Sequence, residues 1–269
     1  MIEETVRRAA RRLLPRGVFR LASRVADRMA AARVLPSDEA AELFRILDGR
    51  STLRAREELD LHPRNLAFPL RMRNDPADAI SVLGTCVRSE YAPLLPKAPP
   101  EFVVDAGAYI GDFTALLLST FPEAKLVALE PQPDAYSLAE ENAARYGTRA
   151  TALNVAAWNV DGIVGLEGHG VTARVGSTVA AAGTMAMSLA TVVERAAFPR
   201  IDLLKCDIEG AESVVFGAGS QRWLSFTRQV LVELHGPEAA SIVARACEAA
   251  GLAYVGRYRN THSFARPHR

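Results

Sequence analysis

Between residues 102 and 257, short apolar runs alternate with helical stretches, and this alternation restricts the fold more than any other feature of the chain. The apolar runs fall at 102–105, 125–129, 150–155, 201–206, 229–234 and 252–257, and helical periodicity occupies 112–120, 133–145, 187–197, 210–218 and 238–250. Short apolar strands joined by crossover helices specify an α/β fold, a doubly wound and mainly parallel sheet covered on both faces. The stretch from Trp158 to Thr184 breaks the pattern. It is rich in glycine (Gly162, Gly165, Gly168, Gly170, Gly176) and in β-branched residues, which predicts a hairpin excursion in place of a crossover helix.

The region before Pro96 reads differently. Helices are expected over 3–14 and 18–34, separated by Pro15-Arg16-Gly17, and a third from the Ser37-Asp38-Glu39 cap to near Gly49. A strand over 65–73, a turn at Asn74-Asp75-Pro76 and a helix over 77–95 follow, and Pro96, Pro99 and Pro100 then stop the pattern. The expected division is a mainly helical region, 1–98, serving oligomerisation or substrate cover, and a ligand-binding domain, 99–269. Residues 1–35 hold nine arginines against three acids, which reads as a solvated or dimer-packing helix and predicts a homodimer.

Composition narrows the function classes. With 269 residues, 49% hydrophobic and 23% charged, the chain is an ordinary globular protein; its net charge of +1 offers no global attraction to nucleic acid. No apolar run approaches the ~20 residues needed to span a bilayer, so no stable membrane insertion is expected. Cys86, Cys206 and Cys247 are odd in number and far apart, which predicts neither a disulfide framework nor a metal knuckle and fits a reducing, cytoplasmic setting.

Chemistry concentrates at the predicted strand ends. The first strand of the α/β region runs into Asp105-Ala106-Gly107-Ala108-Tyr109-Ile110-Gly111-Asp112, where two glycines let the backbone turn tightly and approach a ligand. Glu130 ends the next strand nineteen residues after Gly111, the distance expected of an acid that accepts hydrogen bonds from ribose hydroxyls. Asp105 and Asp112 flank the turn and would repel a pyrophosphate, so a cationic nucleoside without phosphate, such as S-adenosylmethionine, suits it better than a dinucleotide. Asn154, Val155, Ala156 and Ala157 could let an adenine ring lie against the backbone, with Trp158 either a cofactor wall or core. Lys205-Cys206-Asp207-Ile208-Glu209-Gly210-Ala211-Glu212 then sets two carboxylates beside a glycine at a strand end, and Glu233 and His235 are a second i, i+2 pair at the same edge. Lys205 could pair with one of the acids, Glu212 could be solvated on a helix, and His235 could be a hydrogen-bonded core histidine. His169, between two glycines, reads as either a surface turn residue or a substrate contact.

Together Asp105 to Gly111, Leu129-Glu130-Pro131-Gln132-Pro133, Asn142, the Lys205 to Glu212 block and Val232-Glu233-Leu234-His235 resemble the FkbM-type family of S-adenosylmethionine-dependent O-methyltransferases, over about residues 102–235. The family commonly has Asn where this chain has Tyr109. The resemblance implies a Rossmann-like class I methyltransferase fold, with cofactor against Asp105, Gly107, Ala108, Tyr109, Gly111, Glu130, Pro131, Ala156 and Asp207. It further implies a small-molecule or saccharide acceptor hydroxyl. An alcohol must lose its proton as oxygen attacks, so Glu209 or His235 is expected as the base, with Asp207 beside it. By analogy with sugar O-methyltransferases of related fold, Asp207 and Glu233 are expected as ligands of a Mg²⁺ ion. A nicotinamide-dependent oxidoreductase and a non-catalytic cofactor-binding protein are the alternatives weighed.

Overall fold

The computed structural model describes residues 16–167, 174–176 and 183–267. The helix expected over 3–14 and His169 lie outside the described residues. The chain divides into two compact units, Met1–Leu95 and Pro96–Arg269.

The first unit is built on α1 (Arg16–Val34), α2 (Ser37–Leu47) and α3 (Pro76–Val82), with a two-stranded antiparallel sheet of β1 (Glu58–Leu61) and β2 (Leu70–Arg73). The expected strand over 65–73 is thus confined to its last four residues, and its partner β1 was not foreseen. Asp75 caps α3 by accepting from the Ala77 N–H at 2.8 Å. Beyond Val82 the helix widens into a π-helical turn, Leu83–Val87, so the uninterrupted helix expected over 77–95 does not form. Leu35, Leu43, Ile46, Leu61, Leu70 and Met72 form a fully buried apolar centre. Two acids are buried with arginine partners: Arg73 with Asp78 at 2.7 Å, and Arg88 with Asp27 at 2.8 Å. Each forks across both carboxylate oxygens, as a buried charge requires.

The second unit contains a seven-stranded sheet. Its strands are β3 (Phe102–Ala106), β4 (Lys125–Leu129), β5 (Ala150–Leu153), β10 (Leu203–Cys206), β11 (Gln229–Glu233), β12 (Ala253–Tyr258) and β13 (Thr261–Ala265), in the order β12-β13-β11-β10-β3-β4-β5. Only β13 runs antiparallel to its neighbours. Helix α4 (Asp112–Thr120) packs on β4 and α5 (Pro133–Ala144) on β5. The opposite face joins Val104, Leu129, Cys206 and Val232 to residues of α6 (Leu189–Arg195), α7 (Glu212–Val215), α8 (Gln221–Leu224) and α9 (Pro237–Ala249) in one core. This is the Rossmann-like, mainly parallel α/β architecture that the alternation predicts. The terminal hairpin strand β13 escaped the sequence reading, because it alternates buried and partly buried positions with polar Thr261, His262 and Ser263.

The excursion is a sheet of its own. Strands β6 (Ala156–Trp158), β7 (Gly162–Glu167), β8 (Arg174–Gly176) and β9 (Gly183–Ser188) lie in the order β6-β9-β7-β8, with Trp158 packed on Ala156, Val164 and Ala186. The strand expected over 150–155 ends at Leu153, and the separate sheet begins at Ala156. α6 starts two residues later than the expected 187 because Ser188 ends β9 and caps the helix, accepting from the Thr191 N–H at 3.2 Å. Among the described residues no helix is long and apolar enough to cross a membrane. Cys86, Cys206 and Cys247 are free and buried; burial pushes the Cys247 thiol up to about 12 and the Cys206 thiol well above its usual value.

Consecutive strands leave β3 in opposite directions, first to β4 and β5, later to β10. Such a switch point opens a crevice beyond the carboxyl ends of the two strands. Gly107 sits there at φ +80°, and a Cβ on it would lie 1.7 Å from the Asp207 carbonyl oxygen. Gly147 has a similar φ, +62°, but open space around it. Gly147→Ala should therefore cost only the left-handed backbone penalty of about 1–2 kcal/mol. Gly107→Ala should cost clearly more, because the turn after β3 must separate from the turn after β10. Urea titration of the two variants against the parent protein measures the difference, and equal losses would mean that the two turns part freely.

Candidate active site

The turn after β3 is held from two directions. Leu129 O accepts from the Gly107 and Ala108 N–H groups at 2.9 and 3.0 Å, and the Asn142 side chain donates to Ile110 O at 2.7 Å. Gly111, at φ +81°, caps α4, and a Cβ there would meet the Ala139 Cα of α5 at 3.1 Å. From β10, Lys205 extends across its register partner Asp105, lying 3.3 Å from one carboxylate oxygen and donating to Gly107 O. Thr114 donates to the other Asp105 oxygen at 2.8 Å. Asp105 is wholly buried, and through these contacts its carboxylate braces the turn. Its charge is met by Lys205, and the repulsion of phosphate expected from it is correspondingly weakened.

Glu130 is 4% exposed, and each of its oxygens accepts a backbone N–H: Oε2 from Tyr109 at 2.8 Å and Oε1 from Gln132 at 2.9 Å. Burial raises its pKa to about 7 despite those two donors. Asn154 donates to Glu130 O and Pro131 O at 2.8 and 3.1 Å, so it fastens the end of β4 and is itself turned away from the crevice. Ala156 is buried on β6. Tyr109 has φ +50°, a conformation that Asn or Gly adopts more readily.

The second half of the site follows β10. Asp207, Glu209 and His235 each present a ligand atom such that all three lie within 4.8 Å of one another. The Asp207 N–H donates to Ala106 O at 3.0 Å, and its Oδ1 is buried without a hydrogen-bond partner. Glu209, at φ +52°, is, like Tyr109, one of six non-glycine residues with positive φ among those described. Backbone strain of this kind gathers at functional sites. His235 Nδ1 lies 2.9 Å from Glu212 Oε1, and Nε2 lies 3.4 Å from Glu209 Oε2. The hydrogen bond to Glu212 raises the His235 pKa to about 9, so at neutral pH the ring is a cation between two carboxylates. Burial and then the neighbouring Asp207 charge raise the pKa of Glu209.

One alternative left open by the sequence falls away here. Glu212 is not solvated: it is fully buried and accepts from the Gly210 N–H at 3.0 Å as well as holding His235. Glu233 Oε1 accepts from Asn260 at 3.2 Å, and burial and then the Asp207 charge raise its pKa. Asn260 lies in the β12–β13 hairpin, which the sequence reading did not resolve.

The family described as the methyltransferase FkbM domain matches residues 105–249, more than half of the chain and all of the site just described. The chain belongs to this family. Its domain is that of an S-adenosylmethionine-dependent methyltransferase, which sets aside the oxidoreductase reading. Over 81 residues the chain is 38% identical to the ribosomal RNA small subunit methyltransferase H of Leifsonia xyli subsp. xyli; the match covers 30% of this chain and spans about a quarter, 24%, of that protein. Among solved structures it is similar to a precorrin-6y C5,15-methyltransferase from Geobacter metallireducens, at 12% identity and a TM-score of 0.41, over 67% of this chain and 88% of that one. It is also similar to an O-methyltransferase family protein from Burkholderia thailandensis, at 10% identity and a TM-score of 0.41, over 71% and 59% of the two chains.

The position of His235 has a consequence for stability. Its folded pKa, about 9, stands above its usual 6.5, so its contribution is complete below pH 6.5 and is lost as pH rises through 9. Denaturant titrations of the parent protein and His235→Gln should differ by about 2 kcal/mol more at pH 6 than at pH 10. A difference that does not change with pH would place the ring's proton elsewhere.

Proposed function

We propose that this FkbM-family protein transfers a methyl group from S-adenosylmethionine to a hydroxyl of a small metabolite, a sugar or glycoside foremost. The observation that carries the proposal is the contact of the two turns. The backbone of Gly107 lies directly against that of Asp207, so a cofactor seated on the first turn and an acceptor beside Asp207 and Glu209 are neighbours.

The residues fit the cofactor on chemical grounds. Glycine at 107 keeps the backbone open to a close approach, and Glu130 retains lone pairs for two ribose hydroxyls. Asp207 Oδ1, buried without a donor, suits a ligand that brings one. Bound there, S-adenosylmethionine supplies a methyl group made electrophilic by its positively charged sulfur. The acceptor proton is the protein's task. Glu209 is the group suited to take it: burial and the neighbouring Asp207 charge raise its pKa, which strengthens it as a base, and His235 lies 3.4 Å away to hold it. His235, already protonated and anchored by buried Glu212, offsets the clustered negative charge and holds Glu209 in place; we assign it as a positioning residue. This donor set fits a proton better than Mg²⁺, which prefers oxygen ligands in octahedral array, and no metal step is invoked.

A hydroxyl acceptor is supported by a candidate base in the cluster, which a neutral amine would not need. A polyhydroxylated acceptor is supported by the partial exposure of the cluster, with the Glu209 and His235 side chains 28% and 22% accessible. The homodimer is supported by Leu21, Val25 and Met29, spaced four apart on α1 and exposed by half or more. The buried free thiols are consistent with a reducing cytoplasm.

S-adenosylhomocysteine should bind with low-micromolar affinity, roughly −8 kcal/mol, and Glu130→Ala should weaken it by about 1–3 kcal/mol. Because only the ionised carboxylate accepts from both hydroxyls, binding to the parent protein should tighten as pH rises through 7. Calorimetry at pH 6 and pH 8 reads both effects; a pH-independent affinity unaltered in the variant removes Glu130 from the cofactor site.

In methyl-transfer assays on a panel of hydroxylated acceptors, Glu209→Gln should lower kcat by ~10²–10⁴ with cofactor affinity retained. The rate should rise with pH as Glu209 ionises and fall again near 9 as His235 loses its proton. Asp207→Ala should abolish turnover, and chelator should change nothing. Loss of activity in chelator, restored by Mg²⁺, would return the cluster to a metal.

A further inference from the structure

A second cleft lies away from the switch point, along the sheet edge over β4 and β5. Its volume is about 450 Å³, within the ~300–1,000 Å³ of small-molecule sites. It exists because the chain between β5 and β10 forms a separate sheet in place of a full-length crossover helix, and the seven-residue α6 covers only part of that face. Lys125 and Val127 alternate on one face of β4, and Thr151, the register partner of Val127, continues that face onto β5.

The lining is divided by chemistry. Val127, Leu153, Val192 and Phe198 supply apolar surface. Phe198 is fixed by the ring of Phe102, with centroids 4.9 Å apart, so this wall is preformed. Lys125 and Arg195 share the cleft with Thr148 and Thr151, and among the described residues no carboxylate lines it. Arg149 lines it as well, but its guanidinium is engaged on the α4 side, donating to Leu118 O at 3.3 Å and lying over the Tyr146 ring.

We propose that this cleft binds an amphipathic phosphate monoester, with its head on Lys125 and Arg195 and its apolar body on the valine, leucine and phenylalanine surface. Two cations with two hydroxyls match a doubly charged head with three acceptor oxygens better than a single carboxylate. An apolar floor beside them is superfluous for inorganic phosphate. The inference is independent of methyl transfer, since Lys125 and Thr148 lie at the amino ends of the strands whose carboxyl ends carry Glu130 and Asn154.

The test uses the full chain and decyl phosphate, held below its aggregation concentration, in titration calorimetry. Decyl phosphate should bind at least tenfold more tightly than inorganic phosphate, decanoate or the neutral amphiphile octyl glucoside. The double variant Lys125→Gln/Arg195→Gln should lose tenfold or more of that affinity. Ala196→Phe, which fills the cleft from the partly exposed end of α6, should lose it without touching charge. Both variants should bind S-adenosylhomocysteine as the parent does, which separates this site from the methyl-transfer site. Equal affinity for inorganic phosphate, decanoate or octyl glucoside overturns the proposal, as does undiminished decyl phosphate binding in both variants.

Discussion

The buried pair of Lys205 and Asp105 is the interaction on which the catalytic half of the domain depends. The two residues are register partners on adjacent parallel strands at the switch point, and both are almost wholly removed from water. A lysine placed there would be costly unless its charge were met, and Asp105 meets it while Thr114 fixes the second carboxylate oxygen. The ammonium group also donates to Gly107 O, so one side chain ties β10 to the turn after β3. The near-contact of Gly107 with Asp207 is the geometric result. An apolar pair in its place could pack equally well and would leave the turn carbonyl without a donor.

That arrangement lets the domain tolerate an unusual density of acid. Asp207, Glu209, Glu212 and Glu233 would oppose one another's ionisation if no cation were among them, and burial already raises the pKa of Glu209 and Glu233. Lys205 sits on one side of the group and the His235 imidazolium on the other. The histidine is a cation because Glu212 beneath it is buried and bound to its Nδ1, and the Gly210 N–H fixes that glutamate in turn. The order of dependence runs inward: a partly buried Glu209, a histidine beside it, and a fully buried glutamate that charges the histidine.

Much of this was legible in the sequence, for physical reasons that differ by element. The parallel strands β3, β4, β10 and β11 were legible because strands covered on both faces have apolar centres, and Val103-Val104, Leu126 to Leu129, Leu203-Leu204 and Val230 to Val232 supply them. Asp207, Glu209 and His235 were legible because ionisable residues at the ends of such runs have few structural uses. The burial of Glu212 was not legible because its spacing also fits an exposed helix position, and only the three-dimensional return of β11 shows that it lies under His235. The bond of Glu233 to Asn260 was not legible because Asn260 belongs to a hairpin whose strands alternate polar and apolar residues too weakly to be seen. The pairing of Asp105 with Lys205 and Thr114 was not legible because position along a strand end says nothing of what a carboxylate meets across the sheet.

The same limit explains the excursion and what it leaves behind. Glycine and β-branched residues between 158 and 184 indicated extended chain, and four strands are found there, but the parallel pairing of β6 with β9 is a long-range choice that local composition does not encode. Once that sheet stands apart from the central one, α6 alone must shield the face of β4 and β5 on its side. Seven residues of helix span about 10 Å, less than the width of two strands with their side chains. A cleft must then remain, and its chemistry is set by what the uncovered strand starts carry. Acids cluster at the carboxyl ends of the strands and Lys125 and Arg149 stand at the amino ends, so a single choice of connection gives one domain two sites of opposite charge.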